Sequence, residues 1–401
     1  MKTCLISNEY HGHGNFGGVG SYTFNMAKAL RLAGYKVTVI AKGSKNQSDT
    51  IDEPGIKAIF IPDTDEHLPK GIVERLKRRF TPLGIKRHLW TRAVLERLDK
   101  IVKEEDIRLV EVSEFSLDAL SISLPENANL ILRQHSPWDT TRDKSKKINA
   151  FDNFLQQRRE KTLAHSANLI TCPSQKLADF IEKKWSISPY KIVIYPNPVD
   201  TDLFKPCDDI NVMENSIVYA GRIEHIKGVE SLVRSIASVK KSIPQVHLRI
   251  INADSTPADR LSSYEKRVLN QVREYGLEEN VEIISRLKQP DLVREYCSAS
   301  IAVVPSLWES LPYAVLEPMA CGCAVIASRC GGIPEIIQDQ INGLLAEPLN
   351  VNSFTGKILR LLRNPSLVKE LGHNARERII KRFSLSVVSR EVDIVFRELC
   401  I

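Results

Sequence analysis

Short apolar runs alternate with helical patterns along this chain, and the alternation happens twice. Strands that alternate with helices imply a parallel, doubly wound sheet. In the first half the strand-like runs are residues 3–7, 36–40, 58–61, 109–112, 130–133 and 169–172. A helix is expected from about residue 21 to 33, with Gly34 as its C-terminal stop. Near residues 192–200 the pattern pauses. Prolines 196, 198 and 206 and aspartates 200, 202, 208 and 209 make the following stretch polar and turn-rich, so a linker is expected at about 198–214. A second round then begins, with strand-like runs at 217–220, 246–251, 281–284, 301–304 and 324–327. After Gly228, Val229, Leu232, Val233, Ile236 and Val239 fall on one helical face. A chain of 401 residues exceeds what one core usually serves. The fold class expected is therefore α/β, with two Rossmann-like domains and a cleft between them, where small ligands commonly sit.

The composition, 43% hydrophobic and 26% charged, is that of a globular protein and excludes a disordered or fibrous one. No apolar run reaches the ~18 residues of a membrane span. The apolar stretch at the N-terminus is too short for a signal peptide and reads as a first strand. Eight cysteines, at 4, 172, 207, 297, 321, 323, 330 and 400, are scattered without zinc-ribbon spacing. They read as reduced, mostly buried thiols, and the expected location is the cytoplasm.

The net charge of +7 is concentrated in one place. Residues 70–92 hold eight cations (Lys70, Arg75, Lys77, Arg78, Arg79, Lys86, Arg87 and Arg92) against the single anion Glu74. That surplus equals the surplus of the whole chain. Apolar residues such as Ile72, Leu76, Phe80 and Trp90 are interleaved with the charges. Such a stretch suits an anionic membrane surface, so a peripheral position at the inner face of the membrane is expected. The competing reading is a solvated helix face. No nucleic-acid role is expected, because the charge forms one patch without regularly spaced stacking aromatics.

The candidate site residues lie at turns that follow strands, where open α/β sheets bind ligands. Glu309 and Glu317 flank the turn between the strand at 301–304 and a helix expected from Tyr313 to Ala320. Two acids so placed can meet two hydroxyl-rich parts of one ligand; solvated surface acids are the alternative. Gly12, Gly14 and Gly17 satisfy the dinucleotide fingerprint, but no acid ends the second strand to hold a ribose, so the match is a decoy. Gly17, Gly18 and Gly20, just ahead of the first helix, are better placed. They allow close backbone approach, and a helix N-terminus favours an anion such as a phosphate. Arg222 and Lys227 follow a strand and supply a planar fork and a point charge for a diphosphate. His135 stands just past another strand as a hydrogen-bonding candidate. His11 and His13 lack supporting ligands, so no metal is expected. The glycines of Gly331-Gly332-Ile-Pro-Glu335 mark a further turn at the same edge.

Taken in order, these motifs resemble the retaining glycosyltransferases of family 4, the group 1 transferases of GT-B fold. The resemblance rests on Gly17 to Gly20, His135, Tyr195-Pro-Asn-Pro-Val-Asp200, Gly221-Arg222 with Lys227-Gly228, and Glu309 to Glu317 with Met319-Ala-Cys-Gly322. It also includes Gly331 to Glu335 and Asn342-Gly-Leu-Leu345, and it covers essentially the whole chain. It implies an acceptor-side domain over 1–198, a nucleotide-sugar domain over 199–382, and a final helix in 383–401 returning to the first. His135, against the transferred sugar, and Glu309, near the donor sugar, are then the catalytic candidates. Arg222 and Lys227 would neutralise the diphosphate, and the Gly17-Gly18 loop would close on it. Glu317 would hold the ribose, and Leu311, Pro312, Tyr313, Ala314 and Val315 would complete the donor site. Arg286 and Leu287 would border the base. The chain departs from the usual glycine-containing turns at Ile251-Asn-Ala-Asp254 and at Ser285-Arg286-Leu287, which leaves the nucleotide open. No metal or cofactor is implied, since the cations stabilise the leaving group.

The activity expected is transfer of a sugar from a UDP- or GDP-linked donor to a hydroxyl acceptor, with retention, in polysaccharide or glycolipid assembly. The competing readings are a two-domain sugar or nucleotide-sugar binding protein without chemistry, and a nucleotide-sugar 2-epimerase of the same fold.

Overall fold

The computed structural model describes residues 1–11, 17–43, 50–62, 82–114, 116, 124, 128–141, 150–253 and 261–400. Most of the cation-rich stretch 70–92 lies outside them; within it, side chains are described only from His88 onward. Gly12, Gly14, His13 and Asp254 also lie outside the described residues.

The chain divides into two compact units. One comprises Met1–Pro198 and Leu385–Ile401, the other Val199–Ser384.

The first unit holds eight strands: β1 (Lys2–Ser7), β2 (Lys36–Lys42), β3 (Thr50–Glu53), β4 (Ile56–Ile61), β5 (Leu109–Ser113), β6 (Asn129–Arg133), β7 (Leu169–Cys172) and β8 (Ile192–Ile194). Their order in the sheet is β3-β4-β2-β1-β5-β6-β7-β8, with every pairing parallel except β3 with β4. The central strands are mostly apolar because helices cover both faces of such a sheet, with Glu111 in β5 a buried exception. On the helix Pro82–Glu105, Trp90, Val94, Leu98 and Ile101 recur on one face and enter the core beside Cys4, Ile6, Val110 and Val112. The sequence pattern does not distinguish β3 and β8. The first is exposed and turns back across Pro54-Gly55, and the second is three residues long, so neither carries an apolar period.

The last helix, Leu385–Glu398, belongs to this unit. It buries Val388, Val392 and Phe396 at intervals of four. Phe396 meets Tyr35 edge to face at 5.9 Å, and the Tyr35 hydroxyl donates to Asp393 at 3.0 Å.

The second unit holds six parallel strands: β9 (Met213–Gly221), β10 (His247–Asn252), β11 (Val281–Ile284), β12 (Ala299–Val304), β13 (Ala324–Ser328) and β14 (Leu344–Ala346), in the order β11-β10-β9-β12-β13-β14. The apolar face read after Gly228 is the buried face of the helix Val229–Lys240, and all five of its residues lie in the core. The stretch after Pro198 is packed on this unit rather than hanging free. Arg376 holds it by donating to the carbonyl oxygens of Thr201 at 3.0 Å and Phe204 at 2.6 Å, and to that of Ala320 at 2.7 Å. Among the described residues, no helix is long and apolar enough to cross a membrane.

Candidate functional site

In the second unit the loops that follow β9, β12 and β13 leave one edge of the sheet from adjacent strands. Backbone contacts lock them together. The β9 loop ends in the short turn His225–Lys227 and then Gly228, whose φ is +68°. A Cβ on Gly228 would strike the Pro305 carbonyl oxygen of the β12 loop, and the Leu307 N–H donates to the Ile226 carbonyl at 2.8 Å. On the other side Gly331, with φ +50°, lies so close to the Glu309 carbonyl that no side chain fits. The Gly332 N–H donates to that same carbonyl at 2.9 Å. The glycines of the β13 turn therefore shape the backbone at Glu309.

This packing brings Lys227 and Glu309 together across 82 positions of sequence. The Lys227 ammonium lies 2.7 Å from Glu309 Oε1, with side-chain exposures of 23% and 11%. The Ser306 hydroxyl donates to the same oxygen at 2.7 Å. Arg222 pairs with Glu224 at 3.1 Å in an exposed position, and its backbone carbonyl accepts the Tyr219 hydroxyl at 2.8 Å. Both cations thus extend from the β9 edge, one half-buried and one solvated.

The two glutamates differ in environment. Glu317 lies in the helix Tyr313–Ala320 and is buried, and its Oε2 accepts from the Tyr296 hydroxyl at 3.4 Å. Burial pushes its carboxyl up from 4.5 to about 8, against the smaller opposing effect of the Tyr296 hydrogen bond. Between those values the folded chain keeps a proton that the unfolded chain has released, so stability falls as pH rises through this window. Glu317→Gln should therefore melt close to wild type at pH 5 and several degrees above it at pH 8. The burial penalty removed is on the order of a few kcal/mol. Melting curves of both proteins at the two pH values test this, and an equal offset at both would refute it.

At the start of the helix Tyr313–Ala320, Leu311, Tyr313 and Val315 are buried while Pro312 and Ala314 are half-buried. The Pro312 carbonyl accepts the N–H groups of Val315 and Leu316. Arg286 and Leu287 are half-buried in the loop after β11, at the same edge of the sheet but three strands from β12.

In the first unit Gly17 caps the helix Gly18–Leu32. The N-terminal donors of that helix, expected to meet an anion, hold one from the chain itself. Glu9 Oε2 accepts the N–H of Gly17 at 2.5 Å and of Gly20 at 3.2 Å. The motifs of the sequence do not single out Glu9, whose one signal is an acid at the end of β1 facing the glycine loop.

His135 follows β6 and is buried. Its backbone N–H, with that of Ser136, donates to Glu114 Oε1. Its ring meets Tyr22 edge to face at 4.7 Å, and Nε2 has no hydrogen-bond partner among the described residues. Burial, reinforced by Arg133, holds the imidazole well below its usual range, so it is neutral near pH 7. A neutral ring with an open Nε2 can bond a hydroxyl but cannot carry charge to it. His135 lines a small cavity with Leu5, Thr23, Ser113 and Arg133. Beneath it lies a buried network in which only Tyr195 belongs to a sequence motif. Glu111 accepts the hydroxyls of Tyr22 and Tyr195 at 2.8 Å each, and Arg133 lies between their two rings.

Among the described residues no group of three or more His, Cys, Asp or Glu is arranged to hold a metal ion.

Comparison with known proteins follows the same division. The model of Glycosyltransferase Family 4 matches residues 16–203, and that of Glycosyl transferases group 1 matches residues 201–378. The D-inositol 3-phosphate glycosyltransferase of Corynebacterium aurimucosum is 25% identical over 421 residues, covering 99% of this chain and 96% of that protein. The MMP alpha-(1->4)-mannosyltransferase of Mycolicibacterium hassiacum is 28% identical over 233 residues, which is 57% of this chain and only 54% of that protein's length. Among solved structures, sucrose-phosphate synthase from Thermosynechococcus elongatus superposes with a TM-score of 0.80 at 22% identity, covering 99% of this chain and 98% of the other. The two family matches together span residues 16–378, and the chain belongs to the family 4 glycosyltransferases, with the GT-B fold.

Proposed function

We propose that the protein is a retaining glycosyltransferase, moving a sugar from a UDP- or GDP-linked donor to a hydroxyl acceptor without a metal ion. The observation that carries this reading is the Lys227–Glu309 pair, held by the interlocked β9, β12 and β13 loops. A cation fixed beside an acid at a strand edge can face the departing diphosphate while the acid faces the sugar. Arg222, already solvated at that edge, adds a second charge, and Glu317 supplies the ribose contact. Leu311 to Val315 then line the donor, with Arg286 and Leu287 toward the base. In the first unit His135 contacts the transferred sugar through its open Nε2, and Gly17 and Gly18 meet the diphosphate once Glu9 yields their donors. The cation-rich stretch 70–92 is the basis for an acceptor presented at an anionic membrane surface, in polysaccharide or glycolipid assembly.

The test separates turnover from binding. A thermal-shift screen against UDP, GDP, ADP and their sugar conjugates, without added metal, identifies the donor by selective stabilisation. Glu309→Ala is then expected to keep that shift and to lose release of nucleotide from the conjugate. A wild type that binds the conjugate but never turns it over with any hydroxyl acceptor would establish a binding protein instead.

A further inference from the structure

Gly221 ends β9 without entering the left-handed region, so its backbone conformation does not call for glycine. What excludes a side chain there is Tyr219. Residues two apart on a strand point to the same face. A Cβ on Gly221 would lie 2.7 Å from the Tyr219 hydroxyl and 3.1 Å from the ring carbon that bears it. The space left by the glycine is taken by that hydroxyl, which donates to the Arg222 carbonyl oxygen at 2.8 Å. Tyr219 is buried in one core with Ile217, Ile223, Val229 and Leu232, where a phenylalanine would bury as well. A buried hydroxyl is unfavourable unless it is bonded, so its effect is felt at the carbonyl it holds.

Arg222 is the first residue of the loop that carries both cations. Farther along, the Ile223 side chain is buried, and the Leu307 N–H holds the Ile226 carbonyl at 2.8 Å. The N–H groups of Lys227 and Gly228 close the turn on the carbonyls of Glu224 and His225, at 2.9 Å and 3.1 Å. The Arg222 side chain is solvated and paired with Glu224, so it does not anchor the start of the loop. That anchor is the Tyr219 bond to the Arg222 backbone.

We propose that Tyr219 and Gly221 are a pair of positioning residues for the cation loop. The hydroxyl, admitted by the glycine, fixes the Arg222 carbonyl and so sets the loop from Arg222 to Lys227 before a diphosphate arrives. The role in turnover rests on the reading that these two cations meet the leaving group; the hold on the loop does not. A loop fixed in advance need not be ordered while charge grows on a departing phosphate. Its contribution therefore appears in turnover more than in binding.

The test compares the full chain with Tyr219→Phe, Gly221→Ala and the double variant. In Tyr219→Phe, hydrogen exchange followed by mass spectrometry should run roughly tenfold faster in peptides covering 222–228, with β12 unchanged. With the nucleotide sugar that stabilises the wild type, kcat for nucleotide release should fall roughly tenfold and KM rise less than about threefold. Gly221→Ala in the wild-type background should lose more, because its Cβ strikes the hydroxyl and displaces the loop. Added to Tyr219→Phe it should deepen the loss by less than about twofold, since the hydroxyl it would strike is gone. Unchanged exchange over 222–228 would refute the hold on the loop, whatever the activity. Faster exchange with unchanged kcat would overturn the positioning role, and an equal Gly221→Ala loss in both backgrounds would overturn the pairing. If the wild type turns over no conjugate, the sugar-transfer reading fails instead, and exchange alone decides whether the hydroxyl holds the loop.

Discussion

Lys227→Ala is expected to lower kcat for sugar transfer by roughly a hundred- to a thousandfold, the usual cost of removing one preorganised charge from a leaving group. The ammonium is preorganised by its surroundings. Gly228 turns the backbone with a positive φ, the Leu307 N–H ties the preceding carbonyl, and Glu309 holds Nζ at 2.7 Å. Negative charge on a departing diphosphate grows toward the transition state, so kcat should fall more than KM rises. Binding of the free nucleotide, which already carries its charge, should weaken less than turnover. The fold should survive, because the pair lies at the end of the sheet outside the hydrophobic core. Activity within a few-fold of wild type, measured by nucleotide release with the donor found in the screen, would remove Lys227 from the chemistry.

Arg133→Ala is expected to carry the largest structural cost, about 3–5 kcal/mol, because it strips one member from a buried charged network. Arg133 is fully buried, its guanidinium 4.5 Å from the Tyr22 ring centre and 4.6 Å from that of Tyr195. Nη1 donates to the Tyr195 carbonyl at 3.1 Å and Nη2 to Asn197 Oδ1 at 2.8 Å. Burial raises the nearby Glu111 carboxyl, and Arg133 is the chief influence holding it down. Without the cation, Glu111 must either take a proton or remain charged in an apolar interior. The truncation also leaves a void between two aromatic rings. A double variant, Arg133→Met with Glu111→Gln, should recover part of the loss, since it removes the orphaned charge and refills the space. Denaturant unfolding of the three proteins decides the matter. A double variant no more stable than Arg133→Ala would show that the loss comes from packing and hydrogen bonds rather than from charge.

Several elements are legible in the amino-acid pattern itself. The helix at Tyr313–Ala320 lies where its apolar run and the preceding turn place it, and the face read after Gly228 is the face that is buried. The strands that the pattern does not show, β3, β8 and β14, are short or exposed and carry too few residues to form a period. Of the candidate residues, those at the turn after β12 are announced by an apolar strand running straight into two acids. Glu9 and the Glu111 network are not, because nothing local marks an acid as the partner of a glycine loop or of two distant tyrosines.

Sequence alone determined the architecture, since strands buried on both faces of a parallel sheet must read as continuous apolar runs, and helices must separate them. It also determined which turns follow the strands and begin the next helices. Only tertiary structure decided the state of each group at those turns: Glu309 paired to Lys227, and Glu317 buried and pushed toward neutrality. The reason lies in the topology. A parallel sheet makes neighbours of residues dozens of positions apart, and the charge on a side chain is set by those neighbours and by burial, not by its place in the chain.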